Sequence, residues 1–282
     1  MTKKTRSPKL SHLEAKTYKP LLESSSLIKD PNYQKKILLI DLETAPNIGA
    51  YFSLWDEGNI LWNEKYWYIL CFAYKYLGEK ETHVVALPDF KTWKKDKESD
   101  EELVKKLWEL FDEADIIIAQ NGNAFDIKKA NARFVKWGLE SPSFYQKIDT
   151  LMIARKYFKF DSNKLDDLGD YLGIGRKLRT EKGLWQDCMK GDKHAWKTMK
   201  EYNKQDVILL EKVYYKLRGW DIHSPNLNLL YGGIYCCPTC GSSQVHKKGF
   251  RYTRTNIYQS YYCLNCGRKS QGEIIKKDKP LK

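Results

Sequence analysis

The stretch that decides the fold is residues 37–43, Ile-Leu-Leu-Ile-Asp-Leu-Glu, a short apolar run that ends in two acids. A continuous apolar run of this length predicts a strand that is buried on both faces. Residues two apart on a strand share a face, so Asp41 and Glu43 should point to one side of the sheet. Two like charges at this place are costly unless cations neutralise them, as a divalent metal ion would. Solvated acids at a strand end are the alternative interpretation.

The segments after this strand predict alternating strands and helices. Residues 66–77 and 82–87 are rich in β-branched and aromatic residues, and Gly78 suits a hairpin turn between them. Residues 100–113 place leucines on one helical face, with Asp100 as the expected N-cap. Further predicted elements are a strand at 116–119, a helix at 126–137 with Ile127, Ala130, Phe134 and Val135 inward, a strand at 147–151, and helices at 151–158, 164–172 and 193–217. The pattern predicts an α/β domain and leaves the strand order open.

Basic charge is concentrated at the two ends of the 282-residue chain. The formal net charge is +13; residues 1–36 hold 9 basic and 3 acidic side chains, and residues 236–282 hold 10 basic and 2 acidic ones. Basic ends attract polyanions, of which nucleic acid is the commonest. For residues 1–36 a solubilising arm is the alternative.

Cysteine usage and hydropathy indicate the compartment. No apolar run in the sequence reaches the length of a membrane span, and the basic N-terminus lacks the apolar stretch of a signal peptide. Five of the seven cysteines fall within residues 236–266, which in a reducing compartment indicates metal binding rather than disulfides. We therefore expect a cytoplasmic protein, in the host cytoplasm if its source is viral.

Two more segments place acids next to predicted secondary structure. In residues 119–126 (Ala-Gln-Asn-Gly-Asn-Ala-Phe-Asp), Asp126 should fall in the first turn of a helix, where an anion is favoured. Tyr202 and Asp206 are four residues apart and should share one face of a helix. Taken singly, each acid could serve only to stabilise a helix end or to face solvent.

Together these segments resemble the DEDD family of 3′→5′ exonucleases, in its tyrosine branch, whose members have an RNase H-like fold. The resemblance covers about residues 36–217. Its first motif looks like residues 40–44, its second like Asn121-Gly122 with Phe125-Asp126, and its third like Tyr202 with Asp206. The segments 149–151 and 165–174 also look like that family. The resemblance implies an RNase H-like mixed sheet flanked by helices.

The resemblance also implies a two-metal hydrolysis of phosphodiester bonds, with two Mg²⁺ or Mn²⁺ ions. Asp41, Glu43 and Asp126 would hold one ion, Asp41 would also reach the other, and Asp206 would complete the set. Tyr202 would orient the attacking water, because a phenol near pKa 10 is a poor base at neutral pH. Asn121 and Phe125 are candidates for contacts with the 3′ nucleotide, although Phe125 could equally be a core residue.

The cysteines form two C-x-x-C pairs separated by 22 residues. These are Cys237 with Cys240 and Cys263 with Cys266, each followed directly by a glycine. Four thiolates at this spacing suit one structural Zn²⁺ in a zinc ribbon. An iron–sulfur cluster is the less favoured alternative, because the sequence between the pairs is typical of β-strands.

Basic and aromatic residues alternate between the two cysteine pairs, over the predicted strands 245–254 and 257–262. This mixture suits phosphate contact and base stacking, with a purely structural ribbon as the alternative. The candidate nucleic-acid contacts are Lys247, Lys248, Arg251 and Arg254.

The predicted organisation is a basic arm (1–34), an exonuclease domain (35–222), a linker (223–233), a zinc ribbon (234–272) and a basic tail (273–282). The predicted activity is 3′→5′ hydrolysis of DNA, with an exoribonuclease or a non-catalytic nucleic-acid-binding adaptor as alternatives. Residues 45–66 are longer than a tight hairpin, and Trp55 and Trp62 within them could cover the substrate or simply pack. No sequence feature indicates a membrane or a protein partner.

Overall fold

The apolar run at 37–40 forms the centre of a mixed sheet. The computed structural model describes residues 35–52, 60–230 and 236–277, which belong to one compact unit, Gln34–Lys282. β1 (Ile37–Thr44) lies antiparallel to β4 (Ile69–Tyr76) and parallel to β6 (Ile116–Ala119). β5 (His83–Ala86) and β7 (Gln146–Asp149) complete the five-stranded order β5-β4-β1-β6-β7. β1 is central, so residues Ile37–Ile40 are buried on both faces.

Helices cover both faces of this sheet, and the alternation of β1 divides the core in two. Leu38, Ile40 and Leu42 face one core, shared with α1 (Glu101–Glu113) and α2 (Asp126–Lys136). Ile37 and Leu39 face the other core, shared with α3 (Thr150–Tyr157) and α4 (Leu165–Tyr171).

Two further helices follow. α5 (Leu184–Lys190) packs in the first core, and the long α6 (Lys193–Leu217) contributes to both. The predicted α/β class, a mixed sheet flanked by helices, is confirmed.

A two-stranded ribbon follows β1. β2 (Ile48–Ala50) pairs antiparallel with β3 (Trp62–Lys65). Trp62 is 62% exposed, so it does not pack into a core. Trp55 lies outside the described residues, as does the predicted basic arm 1–34.

A three-stranded antiparallel sheet forms the C-terminal part of the described chain. Its order is β10-β9-β8, with β8 (Val245–Tyr252), β9 (Asn256–Cys263) and β10 (Lys269–Lys277). A short helix, α7 (Leu227–Leu230), precedes it, and the Leu227 N–H donates to the carbonyl of Pro238 over 2.7 Å. The segment predicted as a basic tail, 273–282, thus begins inside β10.

One local prediction was confirmed in position only, and another was wrong. Asp100 is the N-cap residue of α1, as predicted, but its carboxylate turns into the core to accept from Ile69 N and Trp137 Nε1 and to pair with Arg133. Val135 is 78% exposed rather than inward, because each residue is rotated by roughly 100° from its neighbour on a helix. None of the helices in the described ranges combines the length and apolar character that crossing a membrane requires.

Candidate active site

The end of β1 and the middle of α6 bring three carboxylates together. Asp41 and Glu43 continue the β1 face of Ile37 and Leu39, which packs against α6. One carboxylate oxygen from each of Asp41, Glu43 and Asp206 lies within 4.8 Å of the others. Residues 165 positions apart in sequence therefore form one acidic cluster.

Asp126 joins this cluster by a different route. It is the first residue of α2 and only 3% exposed, and its Oδ1 accepts a hydrogen bond from the Leu42 N–H over 3.0 Å. That bond ties the start of α2 to β1 between the two other acids. Burial raises the pKa of Asp41, and the negative charge of Asp126 raises it further. Asp126 is thus coupled to Asp41, although the 4.8 Å group consists of the other three acids.

Burial raises the pKa of every acid in the cluster. It raises the pKa of Glu43 and of Asp126 to about 7 in each case, against hydrogen bonds that stabilise their charged forms. The pKa of Asp41 is raised first by burial and then by the neighbouring negative charges. Such a cluster is short of positive charge, and a divalent cation is the usual means of supplying it.

Two neutral donors that the sequence patterns did not indicate hold the β1 acids. The buried amide of Asn203 donates to Oδ2 of Asp41 over 2.7 Å, and its own oxygen lies 3.6 Å from the Cys71 thiol as acceptor. The indole N–H of Trp185 donates to Oε2 of Glu43 over 3.0 Å. Asn203 adjoins Tyr202 in sequence, but no pattern singles out Trp185.

Lys177 is the cation nearest to Asp206. Its Nζ lies 2.7 Å from Asp206 Oδ2 and 5.0 Å from the centroid of the Tyr202 ring. Burial opposes the charged ammonium, but the Asp206 charge outweighs it and raises the pKa of Lys177. The sequence signal that could have indicated Lys177 is the basic run at 176–182.

Tyr202 lies beside both Asp206 and Trp185. Burial and the Asp206 charge raise the pKa of Tyr202 above its ordinary value. The phenol is therefore protonated at neutral pH, so it can donate a hydrogen bond but cannot act as a base. Its ring meets the Trp185 ring edge to face at 6.0 Å.

The residues of the cluster fit a site for divalent cations. Both oxygens of Asp206 are buried, and burial raises its pKa even though the Lys177 charge and hydrogen bonds from Lys177 and Tyr202 oppose that rise. A buried carboxylate is expensive unless cations and donors compensate it. The set consists of oxygen ligands alone, which hard divalent ions prefer.

The loop that precedes α2 is rigidly held. Asn121 has φ 63°, and the N–H groups of Asn121 and Asn123 donate to the buried Asp149 carboxylate at 2.9 and 3.1 Å. A Cβ on Gly122 would come within 2.5 Å of the Ala119 side chain.

Phe125 is 37% exposed, with the Lys129 ammonium 5.6 Å from its ring. The Phe125 ring is therefore accessible beside the acids rather than buried in the core.

The four predicted cysteines also converge. The Sγ atoms of Cys237 and Cys266 are 3.6 Å apart, those of Cys240 and Cys263 are 3.7 Å apart, and all four fit within 4.8 Å. Zn–S bonds of about 2.3 Å in a tetrahedron place sulfur atoms roughly 3.8 Å apart, so the group matches a four-thiolate metal site. Gly241 and Gly267, which follow the pairs, have φ of 68° and 74°, as a turn around a metal requires.

The predicted basic contacts lie on the C-terminal sheet, away from the acids. Lys247, Lys248, Arg251 and Arg254 are exposed, with Lys248 stacked 4.7 Å from the Tyr262 ring. The cysteine end of this sheet contacts the chain just after α6, where Gly219 adjoins the carbonyl of Cys266. Asp206 and Leu217 are separated by roughly 16 Å of helix. The structure therefore does not bring these four residues into the acidic cluster.

Comparisons with known proteins agree with this architecture. The RNase H superfamily profile (RNase_H_2) matches residues 63–218, which is more than half of the chain, so the chain belongs to that superfamily. It is 48% identical over 60 residues to a DNA polymerase III of the PolC type from Ureaplasma parvum serovar 3. That match covers 21% of this chain and 4% of the polymerase. Membership of the RNase H superfamily supports a nuclease, whereas the match to the polymerase is a short local similarity.

A solved structure with a similar chain trace is that of the family B DNA polymerase from the hyperthermophilic archaeon Pyrobaculum calidifontis. The alignment has a TM-score of 0.46 and 13% sequence identity, and covers 81% of this chain and 32% of the polymerase. The chain thus spans only a minor part of either polymerase.

Proposed function

We propose that the protein is a 3′→5′ exonuclease of the DEDD family, in the tyrosine branch, and that it hydrolyses DNA. The observation that carries this proposal is the convergence of Asp41, Glu43 and Asp206 beside Tyr202, with Asp126 bonded to the backbone of the same strand. Four acids and a tyrosine on these elements match the motifs of that family. A non-catalytic adaptor would gain nothing from a buried carboxylate cluster, which costs free energy of folding.

Each residue has a role in the proposed reaction. Asp41, Glu43 and Asp126 would hold one Mg²⁺ or Mn²⁺, and Asp41 with Asp206 the second. Two bound ions would supply an activated water and stabilise the leaving oxygen. The protonated Tyr202 hydroxyl would orient that water, while Phe125 stacks on the terminal base and Asn121 contacts the terminal nucleotide.

The C-terminal sheet completes the proposal as a zinc ribbon that helps to hold nucleic acid. One structural Zn²⁺ on the four thiolates would stabilise a sheet that has little core of its own, since most of its side chains are at least partly exposed. Lys247, Lys248, Arg251 and Arg254 would contact phosphates. Cysteines at this site that form no disulfides suit a reducing cytoplasm. The predicted domain boundaries belong to the same proposal.

The test is cleavage of 5′-labelled single-stranded DNA with Mg²⁺ or Mn²⁺, next to the variants Asp41→Ala and Asp206→Ala. We expect a ladder that shortens from the 3′ end and is abolished in both variants and by EDTA. A matched RNA oligonucleotide distinguishes a deoxyribonuclease from an exoribonuclease. Binding without any metal-dependent cleavage, in protein of confirmed folding and zinc content, would refute the proposal and favour an adaptor.

A further inference from the structure

The loop between α4 and α5 is anchored to the acidic cluster and carries basic side chains past it. It contains Arg176, Lys177, Arg179 and Lys182 within seven residues. Because Lys177 pairs with Asp206, the residues that follow it are held beside Tyr202. A cavity of about 250 Å³ lies there, with Arg179, Lys197, Glu201 and Tyr202 among its lining residues. Tyr202, which lies beside Asp206, thus shares this cavity with two cations, Arg179 and Lys197.

A second cavity of about 380 Å³ adjoins the first one at Lys197. Its lining includes Trp93, Lys193, Lys197 and Lys200. The three lysines lie four and then three residues apart on α6, so they share one face of the helix. Together the two cavities form a basic track, lined by Arg179, Lys193, Lys197 and Lys200, that begins at Tyr202.

Most of the cations along this track are unpaired. Lys200 pairs with Asp89, but Arg179, Lys193 and Lys197 form no ion pair with any residue that the structure describes. Other basic residues nearby are neutralised locally, as Lys190 is by Asp187 at 2.9 Å. Glu201 lines the first cavity and offsets one of the four charges. Unpaired like charges lined up on one surface are expected where a polyanion binds.

A larger neighbouring cavity shares Arg179 with this track but is not uniformly basic. It has a volume of about 790 Å³ and is lined by as many acidic as basic side chains. Its acids are Glu181, Asp187 and Asp192, and Asp192 already accepts a hydrogen bond from the Ala195 N–H. The two smaller cavities are therefore assigned to the basic track by the charge of their lining residues and not by their volume.

We infer that the basic track binds the phosphodiester backbone of the substrate strand on the 5′ side of the nucleotide that is being removed. This inference rests on the proposed exonuclease function. Tyr202 and Lys193 are nine residues apart, or about 14 Å of helix, so the track is long enough to contact more than one phosphate beyond the terminal nucleotide.

The test compares wild-type protein with the double variant Lys193→Gln, Lys197→Gln and with Lys105→Gln as the control. Lys105 is an exposed lysine of α1 that pairs with Glu101, and its substitution removes the same type of charge elsewhere. Two substrates are used with Mn²⁺: a 12-nucleotide single-stranded DNA and the p-nitrophenyl ester of thymidine 5′-monophosphate, which is too small to reach Lys193. Fluorescence anisotropy of the labelled 12-mer, without divalent ions and over a series of salt concentrations, measures binding independently of cleavage.

We expect the double variant to raise KM for the 12-mer at least tenfold more than KM for the small ester. The slope of log affinity against log salt should fall by about 1.4 for this single strand, or about 0.7 for each of the two phosphates that the variant no longer neutralises. The control should match the wild-type protein. Equal KM ratios and equal salt slopes in the double variant and the wild type would overturn the inference.

The anisotropy experiment keeps this inference separate from the proposed function. If the wild type cleaves neither substrate, the exonuclease proposal fails, and the change in salt slope still decides whether the track binds DNA. If the double variant binds the 12-mer with the affinity and the salt slope of the wild type, the track does not hold DNA and the inference is wrong.

Discussion

The indole N–H of Trp185 donates a hydrogen bond to Oε2 of Glu43 over 3.0 Å, although the two residues are 142 positions apart in sequence. The same indole packs edge to face on the Tyr202 ring. Trp185 therefore fixes the orientation of a proposed metal ligand and of the proposed water-orienting residue at once. Partners that orient metal ligands commonly matter almost as much as the ligands themselves.

Replacing Trp185 by Phe removes the donor and retains most of the ring. We expect the concentration of Mn²⁺ needed for half-maximal cleavage to rise by about 10-fold to 100-fold, because Glu43 loses its fixed orientation. Trp108→Phe is the matched control, since that indole donates to the carbonyl of Glu140 on the surface. A metal titration curve that shifts equally in both variants would show that Trp185 only packs.

Asn203→Leu keeps the approximate volume of the side chain and removes the donor to Asp41. Activity or metal affinity should fall by about 10-fold to 100-fold, and the free energy of unfolding by about 1–3 kcal/mol, since a buried carboxylate oxygen loses its partner. Cys188→Ala alters a buried thiol that forms no hydrogen bond with the described residues of the cluster. It should change stability without shifting the metal titration, which separates the two effects. An unchanged titration for Asn203→Leu would contradict this role.

The raised pKa values predict how stability depends on pH without added Mg²⁺ or Mn²⁺. Because the folded pKa of Glu43 and Asp126 is about 7 and their unfolded values are lower, the folded state binds more protons between pH 4 and 7. The contribution of these two groups to the free energy of unfolding is complete below their unfolded pKa and is lost as the pH rises through about 7. Thermal unfolding should therefore show a lower Tm at pH 8 than at pH 5.

Asp126→Asn should flatten that decline, because one of the titrating groups is gone while an oxygen remains to accept from Leu42 N. Substitution of the exposed Asp161 by Asn provides the control and should leave the decline as it is in the wild type. Saturating Mn²⁺ should restore the Tm at pH 8, since it binds the charged carboxylates. A Tm that rises steadily from pH 5 to 8 in the metal-free wild type would disprove the predicted sign.

Gly219→Ala tests how the cysteine site joins the nuclease fold. A Cβ at this position would lie 2.2 Å from the carbonyl oxygen of Cys266, so the backbone at one cysteine pair must shift. We expect a lower Tm together with faster loss of Zn²⁺ to a chelator, measured by a colorimetric zinc assay. Gly78→Ala adds a Cβ in open space at φ 91° and should lower the Tm by backbone strain alone. Equal zinc retention in both variants would exclude a coupling between Gly219 and the metal site.

The sequence by itself determined the buried strand that ends in Asp41 and Glu43, the positions of the other two acids and the cysteine pairs. These features depend on local physics: an apolar run selects a buried strand, alternation puts Asp41 and Glu43 on one face, and the helical repeat aligns Tyr202 with Asp206. The two C-x-x-C pairs could likewise be found by their spacing alone. The ranges of α6 and of most other elements were predicted to within a few residues for the same reason.

Only the tertiary structure decided which side chains surround those acids. Trp185, Lys177 and Asn203 reach the cluster through contacts between distant segments, and neither periodicity nor spacing encodes such contacts. Asp100 shows the same limit, because the side chain of this N-cap residue pairs with the buried Arg133 and does not cap the helix. A buried charge takes whichever partner the packed fold brings to it, and that choice is made only when the sheet and helices have come together.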